Sequence, residues 1–166
     1  MLNFLKTKGT VVFVLDGPKG KRKYVTQNII TDAGDIYYAK LCAGENAGDA
    51  LTSLYLGSNA APNPLKANNF SHLTLIANTE KAPTATFPKT NCQDADNGHG
   101  GVNVVTYKYE YGKADFNAAV ISEGVLSEAG AAGDDAILCH FEFETAFEKT
   151  ANDTLTVFVN HENEGV

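Results

Sequence analysis

Two apolar stretches near the start flank a turn. Val11 to Leu15 is continuously apolar, Tyr24 to Thr31 mixes β-branched and polar residues, and Asp16-Gly17-Pro18-Lys19-Gly20 lies between them. Gly17 and Gly20 tolerate positive φ, and Pro18 sets its own φ while donating nothing to a ladder, so the segment predicts a β-hairpin of Thr10–Leu15 and Lys21–Thr31. At Thr31 the period changes from strand to helix, with Ile36, Tyr37 and Leu41 at helical spacing. Thr31 or Asp32 supplies a cap. Gly34 weakens the first turn, which predicts a short helix of about two turns ending near Ala43-Gly44.

Further along, Ser53–Gly57 and Leu73–Ala77 read as short strands, separated by a loop in which Pro62 and Pro64 exclude regular pairing. Residues 79–101 are polar and broken by Pro83, Pro88, Gly98, Gly100 and Gly101. A stretch of that length without periodicity predicts a functional surface loop or a disordered one. The next strand alternates cleanly: Val105, Tyr107, Tyr109 and Tyr111 share one face, and Thr106, Lys108 and Glu110 the other. Three more strands follow. In the second, Ile137, Cys139, Phe141 and Phe143 oppose His140, Glu142 and Glu144; in the last, Leu155, Val157 and Val159 oppose Thr154, Thr156, Phe158 and Asn160. Seven or eight short strands with turn signals between them predict an all-β fold, an antiparallel β-sandwich or jelly-roll-like domain with one short helix after the N-terminal hairpin. The division expected is an N-terminal arm, 1–9, and a single domain, 10–166, with a long loop at about 79–101.

Composition changes this picture little. A chain of 166 residues that is 43% hydrophobic is long enough for one cored domain. The net charge of −7 opposes direct nucleic-acid binding, which needs a basic face. The charges are uneven, with Lys6, Lys8, Lys19, Lys21, Arg22 and Lys23 near the start and Glu142, Glu144, Glu148, Asp153, Glu162 and Glu164 near the end. That split is either a solvated pattern or a means for one copy to attract another. Cys42, Cys92 and Cys139 form neither a clip nor a disulfide framework, so reduced thiols are expected, Cys139 as a core residue. No stretch has the length of a membrane span, and the reading is of a protein made in a cytoplasm.

Candidate chemistry is sparse. Asp94, Asp96 and Asn97 offer oxygen donors beside Gly98, but Gly98 and His99 stand where a calcium loop needs Asp or Asn and then Gly, and no bidentate Glu closes it. No metal or cofactor is expected. Cys139 and His140 are adjacent on a strand and point to opposite faces, which excludes a dyad; His140 reads as an outward surface histidine. Gly-Pro-Lys-Gly-Lys lacks phosphate-loop spacing. The row of Tyr107, Tyr109 and Tyr111 admits an alternative of another class, a glycan-binding or glycan-cleaving module with these rings as stacking residues.

Three segments carry a resemblance. Asn28-Ile29-Ile30-Thr31-Asp32-Ala33-Gly34 after a charged hairpin, Leu56-Gly57 leading to Ala61-Pro62, and Lys149-Thr150-Ala151-Asn152-Asp153-Thr154-Leu155-Thr156-Val157 near the end resemble, in this order, a broad group of small tailed-bacteriophage virion proteins. The resemblance spans most of the chain except 79–101, and its signature is structural. It implies a non-enzymatic virion protein, first a capsid decoration (cement) protein on the capsid exterior. The implied partners are the major capsid protein and further copies of the chain, with no membrane contact. A tail, neck or fibre-adaptor component is the alternative. Under this reading Leu2, Phe4, Leu5, Lys6 and Lys8 of the arm, and Lys81, Phe87 and Lys89 of the loop, are the candidate contacts; the arm's plain alternative is a frayed terminus.

Overall fold

The hairpin forms around a two-residue connection, Pro18-Lys19, between β1 (Leu5–Gly17) and β2 (Gly20–Ile30), closed by the pair Gly17–Gly20. Gly20 takes φ 86°, a conformation that favours glycine. Gly17 serves differently: a Cβ there would lie 2.0 Å from Asp153 Oδ1. The computed structural model describes residues 5–165. Leu2 and Phe4 therefore lie outside the described residues. Residues 5–9, expected in an arm, are instead the first part of β1, because its partner β8 (Thr154–Gly165) pairs with them from Leu5–Gly165 to Gly9–His161.

Helix α1 (Asp32–Ala43) starts where expected, Thr31 accepting a hydrogen bond from the Gly34 N–H, and stops at Gly44 in the left-handed conformation. It has 12 residues, longer than the two turns expected. Gly34 is the reason it can dock, since a Cβ there would lie 2.1 Å from the Leu138 carbonyl oxygen. Packing outweighs the propensity cost of an interior glycine.

The remaining strands are β3 (Ser53–Gly57), β4 (Lys89–Thr90), β5 (Val104–Tyr111), β6 (Ala118–Ser127) and β7 (Ile137–Lys149). All eight join one antiparallel sheet in the order β3-β6-β7-β2-β1-β8-β5-β4, curled into a half-barrel. The all-β expectation holds, whereas the two packed sheets of a sandwich are replaced by one continuous sheet. Long strands twist, and a twisted sheet of this width curls until its own inner face fills the core. Phe13 meets Phe141, Phe143 and Phe147 edge-on at centroid distances of 5.9, 4.4 and 5.5 Å. Gly124 makes room beneath, as a Cβ there would sit 2.4 Å from Phe141 Cζ.

The two ends of the sheet are laced together. Leu54 exchanges both backbone hydrogen bonds with Lys81 at 2.9 Å, Thr84 N–H donates to Lys108 O at 2.7 Å, and the Tyr109 and Tyr111 hydroxyls donate to Thr52 O and Thr79 O at 2.6 and 2.7 Å. These tyrosines are core. The aromatic platform that a glycan site would need is not on the surface.

Two local expectations change. Leu73–Ala77 is not a strand: the chain makes one 3-10 turn at Phe70–His72 and a single bridge from Leu75 to Gly57. Ile137 also leaves the face it was expected to share with Cys139. Leu126 pairs with Cys139 but Ser127 with Ile137, so Leu138 is an extra residue, and the bulge turns Ile137 outward against Tyr55, Phe70, Leu73 and Val125.

Candidate functional site: a groove between the helix and the end of the sheet

The loop of residues 79–101 is ordered by buried ties. Thr79 Oγ1 accepts from Leu56 N–H at 3.1 Å and donates to Ile76 O at 2.8 Å. Asn97 and Asn160 exchange reciprocal amide bonds, both 2.8 Å, and Thr106 Oγ1 donates to Asn160 Oδ1 at 2.8 Å. Asp94 and Asp96, the calcium donors considered above, pair with Lys108 and Lys21 at 3.2 and 3.1 Å. Among the described residues no cluster of His, Cys, Asp or Glu could hold a metal ion. The loop is thus tied to β8 through Asn97 and Asn160 and to β5 through Asp94 and Lys108.

The expected contact residues separate. Lys81 ties the sheet ends, its Nζ 2.8 Å from Asp115 Oδ2 and 5.4 Å over the Tyr111 ring. Phe87 is half-buried, with Lys89 Nζ 4.6 Å over its ring and Lys108 Nζ 6.0 Å away. Lys8 pairs with Glu164 at 2.8 Å, so the basic start and acidic end meet within one chain through the β1–β8 ladder. The Glu164 carboxylate, by accepting that hydrogen bond, raises the Lys8 ammonium above its ordinary range.

Thr7 and Pro88, one from each expected contact region, line the same groove of about 700 Å³. Its other walls include Asp35, Tyr38, Leu41 and Cys42 of α1, Val105 and Tyr107 of β5, and Asn163 of β8, with Thr52 before β3. Leu41 and Cys42 are exposed there. A groove of this size with mostly apolar walls and a few polar groups, at the mouth of a curled sheet, has the form of a binding site.

A buried polar chain stands behind its floor. Tyr107 Oη is 3.0 Å from Tyr38 Oη, which is 2.5 Å from His161 Nδ1, and His161 Nε2 is 2.8 Å from Asn28 Nδ2. Burial lowers His161 to about 3, so the imidazole is neutral and carries one proton. The neutral imidazole thus links the Asn28 amide to the Tyr38–Tyr107 hydroxyl pair, while Asn28 Oδ1 has no partner of its own. Burial also raises both phenols, Tyr107 to about 12. Cys139 close by is pushed up to about 12 by burial, the opposite of what a nucleophilic thiol requires.

Gly9 opposite Asn28 keeps this chain intact, because a Cβ at position 9 would lie 1.1 Å from Asn28 Oδ1. Gly9→Ala is expected to expel the amide, leave His161 Nε2 unpaired and cost about 2–3 kcal/mol in denaturant unfolding. A loss under about 0.5 kcal/mol would show that the chain does not depend on Asn28.

A second buried polar cluster corrects the reading of His140. Its side chain does point away from Phe141, but the segment before β4 covers it and leaves 1% exposed. Asn68 Nδ2 donates to Nδ1 at 3.0 Å, so Nε2–H donates to Glu123 Oε2 at 2.8 Å, and Glu123 Oε1 accepts from Thr74 N–H at 2.9 Å. Asn28 and Lys149 stood in the segments that carry the resemblance but without these roles, and Glu123 and His161 were not marked by the sequence as buried polar residues. Only an Asn, Glu or Lys inside an otherwise apolar strand would have signalled them.

The fold and groove define a class: an all-β protein on one curled antiparallel sheet, with one helix that walls a groove. Comparison with protein-family models, curated proteins and solved structures found no match.

Proposed function

We propose that this chain is a non-enzymatic structural protein of a tailed-phage virion, a decoration protein that binds the capsid exterior and bridges major capsid subunits. The observation that supports this reading most directly is the convergence at one groove of the two regions its sequence marks for contact, the start of β1 through Thr7 and the long loop through Pro88. Two further features agree with it. Two buried histidines sit in networks that tie neighbouring segments to the sheet: His140 with Glu123 and Asn68, and His161 with Asn28 and Tyr38. Cross-strand ties between both termini and between both sheet ends suit a module that must stay folded on a shell under load.

The test is copy number per particle, measured by quantitative mass spectrometry against the major capsid protein. Decoration predicts a ratio comparable to that protein. A ring's worth of copies would move the protein to neck, tail or fibre adaptor, and its absence from particles would overturn the virion reading.

A further inference from the structure

We infer that the free edge of β2, residues 21–27, takes up an extended acidic segment of another protein as an added strand. β2 has a strand on both sides only at its end. It pairs with β1 from Gly20 to Asn28, but among the described residues it pairs with β7 only from Asn28 to Ile30. Past that point β7 turns across the inner face. Phe143 and Phe147 pack on Phe13, and the successive pairs Glu123–Glu142 and Ile121–Phe147 give β7 a large bulge away from β2. The bond from Thr26 Oγ1 to Glu142 O, 2.6 Å, is made by a side chain and leaves the edge backbone unused.

The hairpin fixes which groups this edge presents. A two-residue connection closes on the hydrogen-bonded pair Gly17–Gly20, so Gly20, Arg22, Tyr24 and Thr26 spend their N–H and C=O groups on β1, and Lys21, Lys23 and Val25 point theirs the other way. Donors and acceptors at that spacing are what an added strand uses. The side chains of the same three residues are exposed, Val25 by 50%. Charge then selects the occupant. Asp96 pairs with Lys21 and Asp153 with Arg22, while Lys23 makes no ion pair among the described residues; nor do the exposed Glu142, Glu144 and Glu148 of the diverging half of β7. Two copies of β2 set edge to edge would bring lysines against lysines, so the edge disfavours its own kind. A strand with carboxylates opposite Lys21 and Lys23 and an apolar side chain opposite Val25 complements it. The inference does not rest on the virion reading, since any acidic extended segment meets these terms.

The probe is the blocked peptide acetyl-Thr-Val-Thr-Glu-Thr-Glu-Thr-amide, which in antiparallel register sets its Val opposite Val25 and its two Glu opposite Lys23 and Lys21. It is added to the full chain, and amide hydrogen exchange is followed residue by residue by NMR. In the free protein the amides of Lys21, Lys23 and Val25 are expected to exchange at least tenfold faster than those of Arg22, Tyr24 and Thr26. The peptide should slow the first three at least tenfold, and a version with Lys for both Glu should bind at least tenfold more weakly. Val25→Pro removes an N–H that β1 does not use and should abolish the protection with circular dichroism unchanged. Lys23→Glu keeps every backbone group and should reverse the preference between the two peptides, so it decides the matter even if Val25→Pro fails to fold. Equal exchange of the six amides in the free protein would overturn the proposal by showing the edge already paired. Absence of protection at millimolar peptide, or equal binding of the two peptides, would overturn it by showing that the edge takes no strand or does not select an acidic one.

Discussion

Acidification is expected to destabilise the protein progressively between about pH 6.5 and pH 3, the free energy of unfolding falling by about 1.4 kcal/mol per pH unit. The cause is His161. It is fully buried and neutral in the folded protein, where burial lowers it from 6.5 to about 3, while in the unfolded chain it takes up a proton below its ordinary value. A lowered folded value means that the stabilisation is complete above pH 6.5 and is lost as the pH falls toward the folded value. Over the whole window the loss reaches about 5 kcal/mol, a large share of the stability of a domain of this size. Asp115 and Asp153 act in the same direction at lower pH. Hydrogen bonds from Lys81 and from Thr150 respectively hold them below the ordinary carboxylate value, so their stabilisation is lost below about that value. Urea unfolding at a series of pH values measures the slope directly. His161→Gln, which cannot take up the proton, should flatten it between pH 6.5 and 4 by about one proton. An equal slope in variant and parent would remove His161 as the source.

Phe13→Ala carries the other large effect, an expected loss of about 3–5 kcal/mol. Phe13 is wholly buried and is the ring on which Phe141, Phe143 and Phe147 converge, so truncation leaves a cavity where β1 meets β7. β7 pairs with β2 only from Cys139 to Phe141. Beyond that point its second half is held over β1 and β2 by these rings, by the stack of Tyr24 on Phe147 at 4.6 Å and by the Thr26 Oγ1 bond to Glu142 O at 2.6 Å. Val25→Ala is the control: Val25 lies one strand over but is 50% exposed, and its loss should stay within about 0.5 kcal/mol. Equal effects of the two substitutions in chemical denaturation would contradict this account of the core.

The hairpin, the start of the helix and β5 were legible because their signals are local, whereas the short edge strand β4 fell inside the stretch read as a loop. Asp16 to Gly20 carries its own turn chemistry, Thr31 its own cap, and the alternation of Val105 to Tyr111 states which side chains go inside. The groove was legible only in fragments. Residues near Thr7 and Pro88 were marked for contact, but Tyr38, Leu41 and Cys42 read as ordinary helix positions, and nothing local links them to Asn163. Lys81 was grouped with Phe87 and Lys89 by nearness in sequence, whereas its backbone pairing with Leu54 assigns it to the joint between the sheet ends.

By itself, then, the sequence determined the strand-rich class, the hairpin, the helix position and the inward face of most strands. These follow from period, turn residues and caps, which act over a few residues. Tertiary structure decided the rest. Curl made one sheet of what read as two, a bulge at Leu138 reversed Ile137, and covering segments buried His140, Thr106 and the long loop's Asn97. Each of these depends on which distant segment lies over a strand, and burial of a polar side chain is settled by its partner rather than by its own residue type.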